Sequence, residues 1–173
     1  MEHLIREYQP GQDTLSLREC IVELQEFERR IESALPVGTA MADAYLAYLL
    51  ERCGEYDGKV FVAEIERKVI GFVCVWARVP PTEPDESPTE YAYISDLVVL
   101  APFRQRGFGR ALLERAEGYA REQKATLLRI GVLAQNVLAR RLYLNFGFSE
   151  RRIELSKDLS EKPHKEPGVA ASN

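Results

Sequence analysis

The sequence predicts a single domain of the α/β (α+β) class, with a mixed, mostly antiparallel central sheet and about four flanking helices. Two runs rich in β-branched residues, 59–65 and 69–78, are separated by the polar turn Glu66-Arg67-Lys68 and predict an antiparallel hairpin. An apolar strand at 91–99, a helix and an alternating segment at 127–133 then predict two parallel strands joined by a helical crossover. A length of 173 residues suits one domain with a substantial core.

The part before the hairpin is predicted to hold one strand and two helices. A strand at 4–8 ends at Pro10-Gly11, and a helix at 13–31 follows. Five apolar residues at helical spacing predict its buried stripe: Leu17, Ile21, Leu24, Phe27 and Ile31. A second helix at 40–52 presents four apolar residues on one face: Ala44, Tyr45, Tyr48 and Leu49.

The C-terminal half alternates helix and strand. A helix is predicted at 110–123, and five of its residues are expected to face the sheet: Leu112, Leu113, Ala116, Tyr119 and Ala120. Asn136 is a good N-cap for a helix ending at Phe146, and Gly147 is a natural stop before a last strand at 148–155. Residues 1–160 are predicted to form the domain, and the polar tail 161–173 is expected to be disordered.

A basic, glycine-containing turn lies between the strand at 91–99 and the next helix. It reads Arg104-Gln105-Arg106-Gly107-Phe108-Gly109, and its glycines and the following helix N-terminus favour a diphosphate. A P-loop would need Gly-Lys-Ser/Thr, but Gly109 is followed by Arg110-Ala111-Leu112. A dinucleotide-binding turn would need a glycine at position 112 and an acidic residue after the next strand, where the chain has Leu133-Ala134.

A second motif, Asn136-x-x-Ala139-x-x-Leu142-Tyr143-x-x-x-Gly147-Phe148, follows the basic turn at a fitting distance. The two motifs together resemble the GNAT superfamily of N-acetyltransferases, which use acetyl-coenzyme A. The resemblance is close from 91 to 159 and extends to the rest only in general pattern. It implies a GNAT-like acyl-CoA N-acyltransferase fold, in which the sheet splays between two parallel strands and the pantetheine arm lies in the gap.

The resemblance also implies a role for each motif residue. The backbone of Leu97, Val98 and Val99 would hold the pantetheine amides, Asn136 would bind the cofactor arm, and Tyr143 would donate a proton to the departing sulfur. The diphosphate would lie on the turn and helix start formed by Arg104, Gln105, Arg106, Gly107, Phe108, Gly109 and Arg110. The residues alone leave simpler readings open: a helix cap, a packed aromatic and a solvated basic turn.

The general base is less evident. Some members of the family carry a glutamate where this chain has Tyr93, and the nearest carboxylate on the strand is Asp96. Asp96 has the opposite parity to Tyr93 unless a bulge intervenes, and it could instead serve a structural pairing. The loop at 80–90 carries four acidic residues and no lysine or arginine, so it would form either an anionic rim at the acceptor side or a solvated loop.

Composition argues against several classes of partner. A net charge of -4 and a pI near 5.4 give no general basis for nucleic-acid binding. The first residues lack a signal-peptide core, and the longest apolar run, 69–77, is short for a membrane span, so a cytoplasmic protein is expected. Three cysteines without a Cys-x-x-Cys spacing and two histidines near the termini predict neither a disulfide framework nor a metal site.

The predicted function is direct transfer of an acetyl group from acetyl-coenzyme A to a primary amine of a small molecule or peptide, without a metal. A non-catalytic acyl-CoA-binding sensor or interaction module is the first alternative, favoured by the missing glutamate at position 93. A transferase for a longer acyl group is the second. The acceptor and the oligomeric state stay open, although homodimers are common in the family that the chain resembles.

Overall fold

The computed structural model describes residues 3–159, which form one five-stranded sheet with helices on both faces. The strands are β1 (His3–Glu7), β2 (Lys59–Ile65), β3 (Lys68–Val79), β4 (Tyr91–Val99) and β5 (Leu128–Ile130). The helices are α1 (Thr14–Arg29), α2 (Gly38–Glu55), α3 (Phe108–Glu122) and α4 (Val137–Phe146). The strands lie in chain order, antiparallel from β1 to β4, with β5 parallel to β4. The mixed α/β class, the hairpin and the parallel crossover are therefore confirmed.

Two hydrophobic cores lie on opposite faces of the sheet. Helices α1 and α2 cover one face, where Leu17 and Leu49 pack with Phe72. Helices α3 and α4 cover the other face, where Leu112 and Tyr119 pack with other buried side chains. All five α3 residues predicted to face the sheet are buried. Within residues 3–159, no helix is long and apolar enough to cross a membrane.

The buried stripes of α1 and α2 differ in part from the predicted ones. In α1 the buried residues are Leu17, Cys20, Ile21 and Gln25. The ring of Phe27 instead lies beneath the guanidinium of Arg104, with 5.3 Å between the guanidinium carbon and the ring centroid. Ile31 lies beyond the end of the helix. In α2 Ala44 is exposed and Ala42 is buried, because alanine suits either face of a helix and does not by itself mark the buried stripe.

Strand β4 contains a bulge at Ser95. Asp96 pairs with Cys74 of β3, but Val75, the next residue of β3, pairs with Ile94, so Ser95 is the extra residue. Ile94 packs in the core under α3, whereas Asp96 faces α2 and accepts a hydrogen bond from Tyr45. The ring of Tyr93 packs against that of Trp76, which lies on the core covered by α1 and α2. The bulge thus places Tyr93 and Asp96 on the same face of the sheet. This is the condition under which Asp96 could replace a glutamate at position 93 as the base.

Strands β4 and β5 diverge beyond this bulge. Their parallel pairing runs from Ala92 and Leu128 to Ile94 and Ile130, and then stops. The strand that the sequence predicts at 127–133 is therefore only three residues long in the structure. It stops before Gly131, where an added Cβ would lie 3.0 Å from the hydroxyl of Tyr93. The expected splay between the two parallel strands is present, and it opens towards α1, α2 and α4.

The predicted last strand at 148–155 is wrong for the structure that residues 3–159 form. Residues 148–158 have no regular secondary structure, and the side chains of Ile153 and Leu155 are 77% and 89% exposed. The alternation of these two apolar residues is compatible with a strand. However, β5 is only three residues long and offers few backbone partners at its outer edge. The predicted tail at 161–173 lies outside the described residues.

Candidate active site

A cleft of about 210 Å³ lies where β4 and β5 separate. Helices α1 and α2 form one wall and α4 forms the opposite wall. The polar side chains that line it include Glu28, Tyr45, Asp96, Asn136 and Tyr143. The structure therefore brings together four of the residues that the sequence singled out, Asp96, Leu97, Asn136 and Tyr143, and adds Glu28 and Tyr45, which it did not.

Asp96 is the most buried ionisable side chain in the cleft, with 5% of its surface exposed. Its Oδ1 accepts a hydrogen bond of 2.9 Å from the Tyr45 hydroxyl. Its Oδ2 is buried and has no hydrogen-bond partner among residues 3–159. Burial raises the pKa of Asp96 above its ordinary value, because the charged form loses hydration. This carboxylate is oriented by one hydrogen bond and keeps one oxygen available for a proton.

Tyr143 enters the cleft from α4 and is 8% exposed. Its ring packs against Phe148, with 6.0 Å between the ring centroids. Burial, together with the nearby carboxylates of Glu28 and Asp96, raises the pKa of the Tyr143 phenol. The hydroxyl therefore stays protonated at neutral pH and can donate a hydrogen bond or a proton.

Asn136 begins α4, as predicted. Its Oδ1 accepts a hydrogen bond of 3.2 Å from the backbone N–H of Ala139, and Gly147 ends the helix with a φ of 117°. Asn136 and Tyr143 line the same cleft, in agreement with their spacing of two helical turns. The cap uses the amide oxygen of Asn136, so the amide nitrogen can still donate to a ligand.

Beyond Ile94, the edge of β4 that faces the cleft has no strand partner among residues 3–159. Leu100 N–H donates to the carbonyl of Ile70, across the β3 side of the sheet. Because successive residues of a strand point their backbone groups to opposite sides, those of Leu97 and Val99 point away from β3 and those of Val98 point towards it. The Val99 carbonyl accepts a hydrogen bond of 2.8 Å from Arg104 Nε. The pantetheine contacts predicted for 97–99 are therefore best placed at Leu97 and at Val99 N–H.

The basic turn bends as its glycines suggested. Gln105 and Gly107 have φ values of 59° and 90°, and α3 begins at Phe108, which is largely buried. Within the described chain, the N-cap Gly107 makes no side-chain capping bond, and the first turn of α3 contains no acidic residue. No side-chain cap or carboxylate of the helix start therefore competes with a bound anion. The helix N-terminus is accordingly suited to an anion. Gly109 has a different role, because an added Cβ would lie 3.1 Å from Leu142 of α4.

The arginines of this segment differ in what they contact. Arg104 points inward, where it bonds to the Val99 carbonyl and pairs with Glu23 at 3.0 Å. Arg110 pairs with Glu114 in the next turn of α3 at 3.0 Å. Arg106 lies over the ring of Phe103, with 5.8 Å between the guanidinium carbon and the ring centroid. Arg106 is thus the arginine best placed to add charge to an anion site.

Two other expectations for the acceptor side have different outcomes. Tyr93 does not line the cleft; its ring packs against Trp76 at a tilt of 32°, with 5.7 Å between the centroids, and its hydroxyl lies beside Gly131 at the edge of the cleft. The acidic loop at 80–90 does not line it either, since Glu86 lies 3.7 Å from Arg129 and accepts a bond from the Thr82 N–H. Within residues 3–159, the acidic residues of the cleft are Glu28 and Asp96 rather than those of the loop.

Glu28 and Tyr45 were not singled out as site residues from the sequence. A signal for Glu28 exists in α1, because Ile21, Leu24, Gln25 and Glu28 follow the spacing of one helical face and all line the cleft. Gln25 and Glu28 continue the apolar stripe of α1 with polar side chains. This pattern indicates that part of the face lines a polar cavity and not the hydrophobic core. Tyr45 had no such signal, since an aromatic residue on an amphipathic helix is usually packed in the core.

Residues 22–148 match the model of the acetyltransferase (GNAT) family, so the chain belongs to this family. Among curated proteins it is similar to the uncharacterized N-acetyltransferase YycN of Bacillus subtilis, with 31% identity over 94 residues, which are 54% of this chain and 56% of YycN. The chain spans about half the length of the curated relatives it matches first.

Solved structures agree on the fold. The tetramutant of the BH1408 protein from Bacillus halodurans has a TM-score of 0.77 and 21% identity, covering 90% of this chain and 99% of that chain. The structure of AAC(6')-Iy in complex with the bisubstrate analog CoA-S-monomethyl-acetylneamine has a TM-score of 0.67 and 18% identity, covering 91% and 99%. At these identities the likeness concerns the fold.

Proposed function

We propose that the chain transfers an acetyl group from acetyl-coenzyme A to a primary amine. The observation that carries this proposal is the cleft between β4 and β5, where the buried carboxylate of Asp96 and the protonated phenol of Tyr143 face one cavity. A base and an acid on one cleft are the two groups that direct transfer to an amine requires. Bound acetyl-coenzyme A supplies the acetyl group as a thioester.

The donor side of the site suits an elongated ligand with amide groups and a diphosphate. The open edge of β4 offers the backbone groups of Leu97 and the N–H of Val99, and the Asn136 amide lies across the cleft. The start of α3 and the side chain of Arg106 offer positive potential for the diphosphate. AAC(6')-Iy, which shares the fold, has been captured with an analog that contains coenzyme A.

Asp96 supplies the base in this proposal. An alkyl amine has a pKa near that of lysine, about 10.4, and must lose a proton before its nitrogen can attack a carbonyl carbon. The open Oδ2 of Asp96 can take that proton directly or through a water molecule, while Tyr45 holds Oδ1 in place. Because its pKa is raised, Asp96 is a stronger base than an ordinary aspartate.

Tyr143 supplies the acid. Its phenol keeps its proton at neutral pH and faces the cleft, so it can donate that proton as the thiolate of coenzyme A departs. Backbone N–H groups at the open edge of β4 are suited to polarise the thioester carbonyl. The missing glutamate at position 93 does not favour the sensor alternative here, since the bulge at Ser95 turns Asp96 to the same face.

The test is release of free thiol from acetyl-coenzyme A with a panel of primary amines, with coenzyme A binding measured by calorimetry on the same sample. Thiol release that requires an amine, with an equal amount of N-acetylated product, is the expected result. Binding without thiol release for any amine would favour the sensor alternative. Absence of coenzyme A binding would contradict the donor site described above.

A further inference from the structure

Glu28 is an acidic side chain that lacks a partner in the described structure. It lies on the face of α1 that lines the cleft. Its neighbours on the same helix are paired: Glu23 with Arg104 at 3.0 Å, and Glu26 with Arg29 at 3.0 Å and with Gly38 N–H at 2.7 Å. By contrast, the carboxylate of Glu28 makes no hydrogen bond or ion pair with any residue from 3 to 159. Because Glu28 is half-buried, its carboxylate is only partly hydrated, and a cationic group of a ligand in the cleft would stabilise it.

A second, independent observation lies across the cleft. Asp96 is 95% buried, since 5% of its surface is exposed, and its Oδ2 has no partner among the described residues. Both carboxylates line the same cleft, and burial, followed by the charge of Asp96, raises the pKa of Glu28. Within residues 3–159, no lysine, arginine or histidine lines this cleft. The cleft therefore carries two carboxyl groups and, among the described residues, no basic side chain that would balance their charge.

The wall beside Glu28 is apolar. Ile21, Leu24 and Met41 line the cleft on the side of α1 and α2, the wall that also carries Glu28. Such a surface accommodates an alkyl stem, whose burial is favourable. This wall of the cleft thus combines a place for a hydrocarbon chain with a place for a positive charge.

We propose that the acceptor is a primary alkyl amine that carries a second positive charge, and that Glu28 is the residue that selects it. This inference rests on the proposed function. Asp96 takes the proton of the reacting ammonium, so the charge of Glu28 is left to be balanced by a different cationic group of the same molecule. An acceptor with a carboxylate at that end, as in an amino acid, would place a third negative charge in the cleft and is disfavoured.

Three acceptors of equal chain length test this selection: 1,5-diaminopentane, pentylamine and 5-aminopentanoate. Each presents the same primary amine, and the far end is positive, neutral or negative. The wild-type protein should use the diamine best and 5-aminopentanoate worst, as judged by kcat/KM from thiol release. In Glu28→Gln, kcat/KM for the diamine should fall by about tenfold, mainly through KM, as expected for the loss of one bond to a charged partner. The value for pentylamine should change little.

Glu19→Gln is the matched control, because Glu19 is exposed on the same helix and the substitution changes the net charge equally. The inference is overturned if Glu28→Gln behaves like Glu19→Gln with all three acceptors, or if 5-aminopentanoate is used as well as the diamine. Glu28→Gln should fold normally, since no bond within the described chain is lost.

A binding measurement separates failure of this inference from failure of the proposed function. If no amine releases thiol, the proposed function fails, but calorimetry of 1,5-diaminopentane with the coenzyme A-loaded protein still reports on Glu28. Weaker binding of the diamine in Glu28→Gln than in Glu19→Gln would support the cationic site. Equal binding in the two variants, or no binding of the diamine to the wild-type protein, would overturn it.

Discussion

Replacing Asp96 with asparagine should separate stability from activity. The asparagine oxygen can still accept the hydrogen bond of 2.9 Å from Tyr45, so the packing around α2 and β4 is kept. The substitution also removes a buried charge whose Oδ2 has no partner among residues 3–159. Asp96→Asn is therefore expected to leave the free energy of unfolding unchanged or to increase it at neutral pH.

The effect on catalysis should be large and in the opposite direction. A positioned base contributes roughly 10² to 10⁴ in rate, which corresponds to about 3 to 5 kcal/mol of transition-state stabilisation. In Asp96→Asn, kcat should fall by that factor while the affinity for coenzyme A is kept, because the donor side of the cleft does not involve the carboxylate. Asp43→Asn, which removes an exposed carboxylate from α2, should leave kcat unchanged.

The pH dependence gives a second readout of the same carboxylate. Burial raises the pKa of Asp96 in the folded protein, so its ionisation favours unfolding, and the stability it contributes below its unfolded pKa is lost as pH rises through the folded pKa. Activity should rise over the same range, because only the carboxylate form accepts a proton. Profiles of kcat/KM against pH should show this acid limb in the wild type and lack it in Asp96→Asn. Retention of wild-type kcat within threefold by Asp96→Asn would refute the assignment.

Three further changes test other parts of the structure. Tyr143→Phe should lower kcat by about 10², with coenzyme A affinity by calorimetry unchanged, and an unchanged kcat would count against the acid. Gly107→Ala places a side chain at a φ of 90°, so it should lower the free energy of unfolding in urea by about 1 to 2 kcal/mol and weaken coenzyme A binding. Gly54→Ala is the control: it lies inside α2 with no atom within 4 Å of its added Cβ, and it should neither destabilise the protein nor weaken coenzyme A binding. Asp13→Asn breaks the buried pair with Arg6 at 2.6 Å and should cost about 2 kcal/mol at pH 7. Arg6 lowers the pKa of Asp13, so the wild-type advantage over Asp13→Asn should vanish as pH falls through that pKa, and an advantage that persists in acid would contradict this pair.

Patterns within one element were readable from the sequence. The β2–β3 hairpin follows from two β-branched runs and a short polar turn, and α3 buries each residue that its spacing predicted. The cap at Asn136 and the stop at Gly147 follow from the preferences of these residue types at helix ends. The joint presence of Asn136 and Tyr143 at the cleft follows from the helical period.

Features that depend on contacts between distant segments were not readable. The bulge at Ser95 is a property of the register between β3 and β4, and it decides which face carries Asp96. The bond between Tyr45 and Asp96 joins residues 51 positions apart, and Arg104 is drawn inward by Glu23, 81 positions away. The strand predicted after Gly147 had a suitable alternation of residues but lacks a neighbouring strand of sufficient length.

A crystal structure of the protein with bound coenzyme A would show directly whether this cleft holds the cofactor. The proposed function predicts that the pantetheine arm lies along the open edge of β4 at Leu97 and Val99, with the diphosphate at the start of α3. It also predicts the thiol within about 4 Å of the Tyr143 hydroxyl, on the side of the cleft that faces Asp96. Coenzyme A bound elsewhere, or with its sulfur remote from both side chains, would contradict the assignment of this cleft as the site of acetyl transfer.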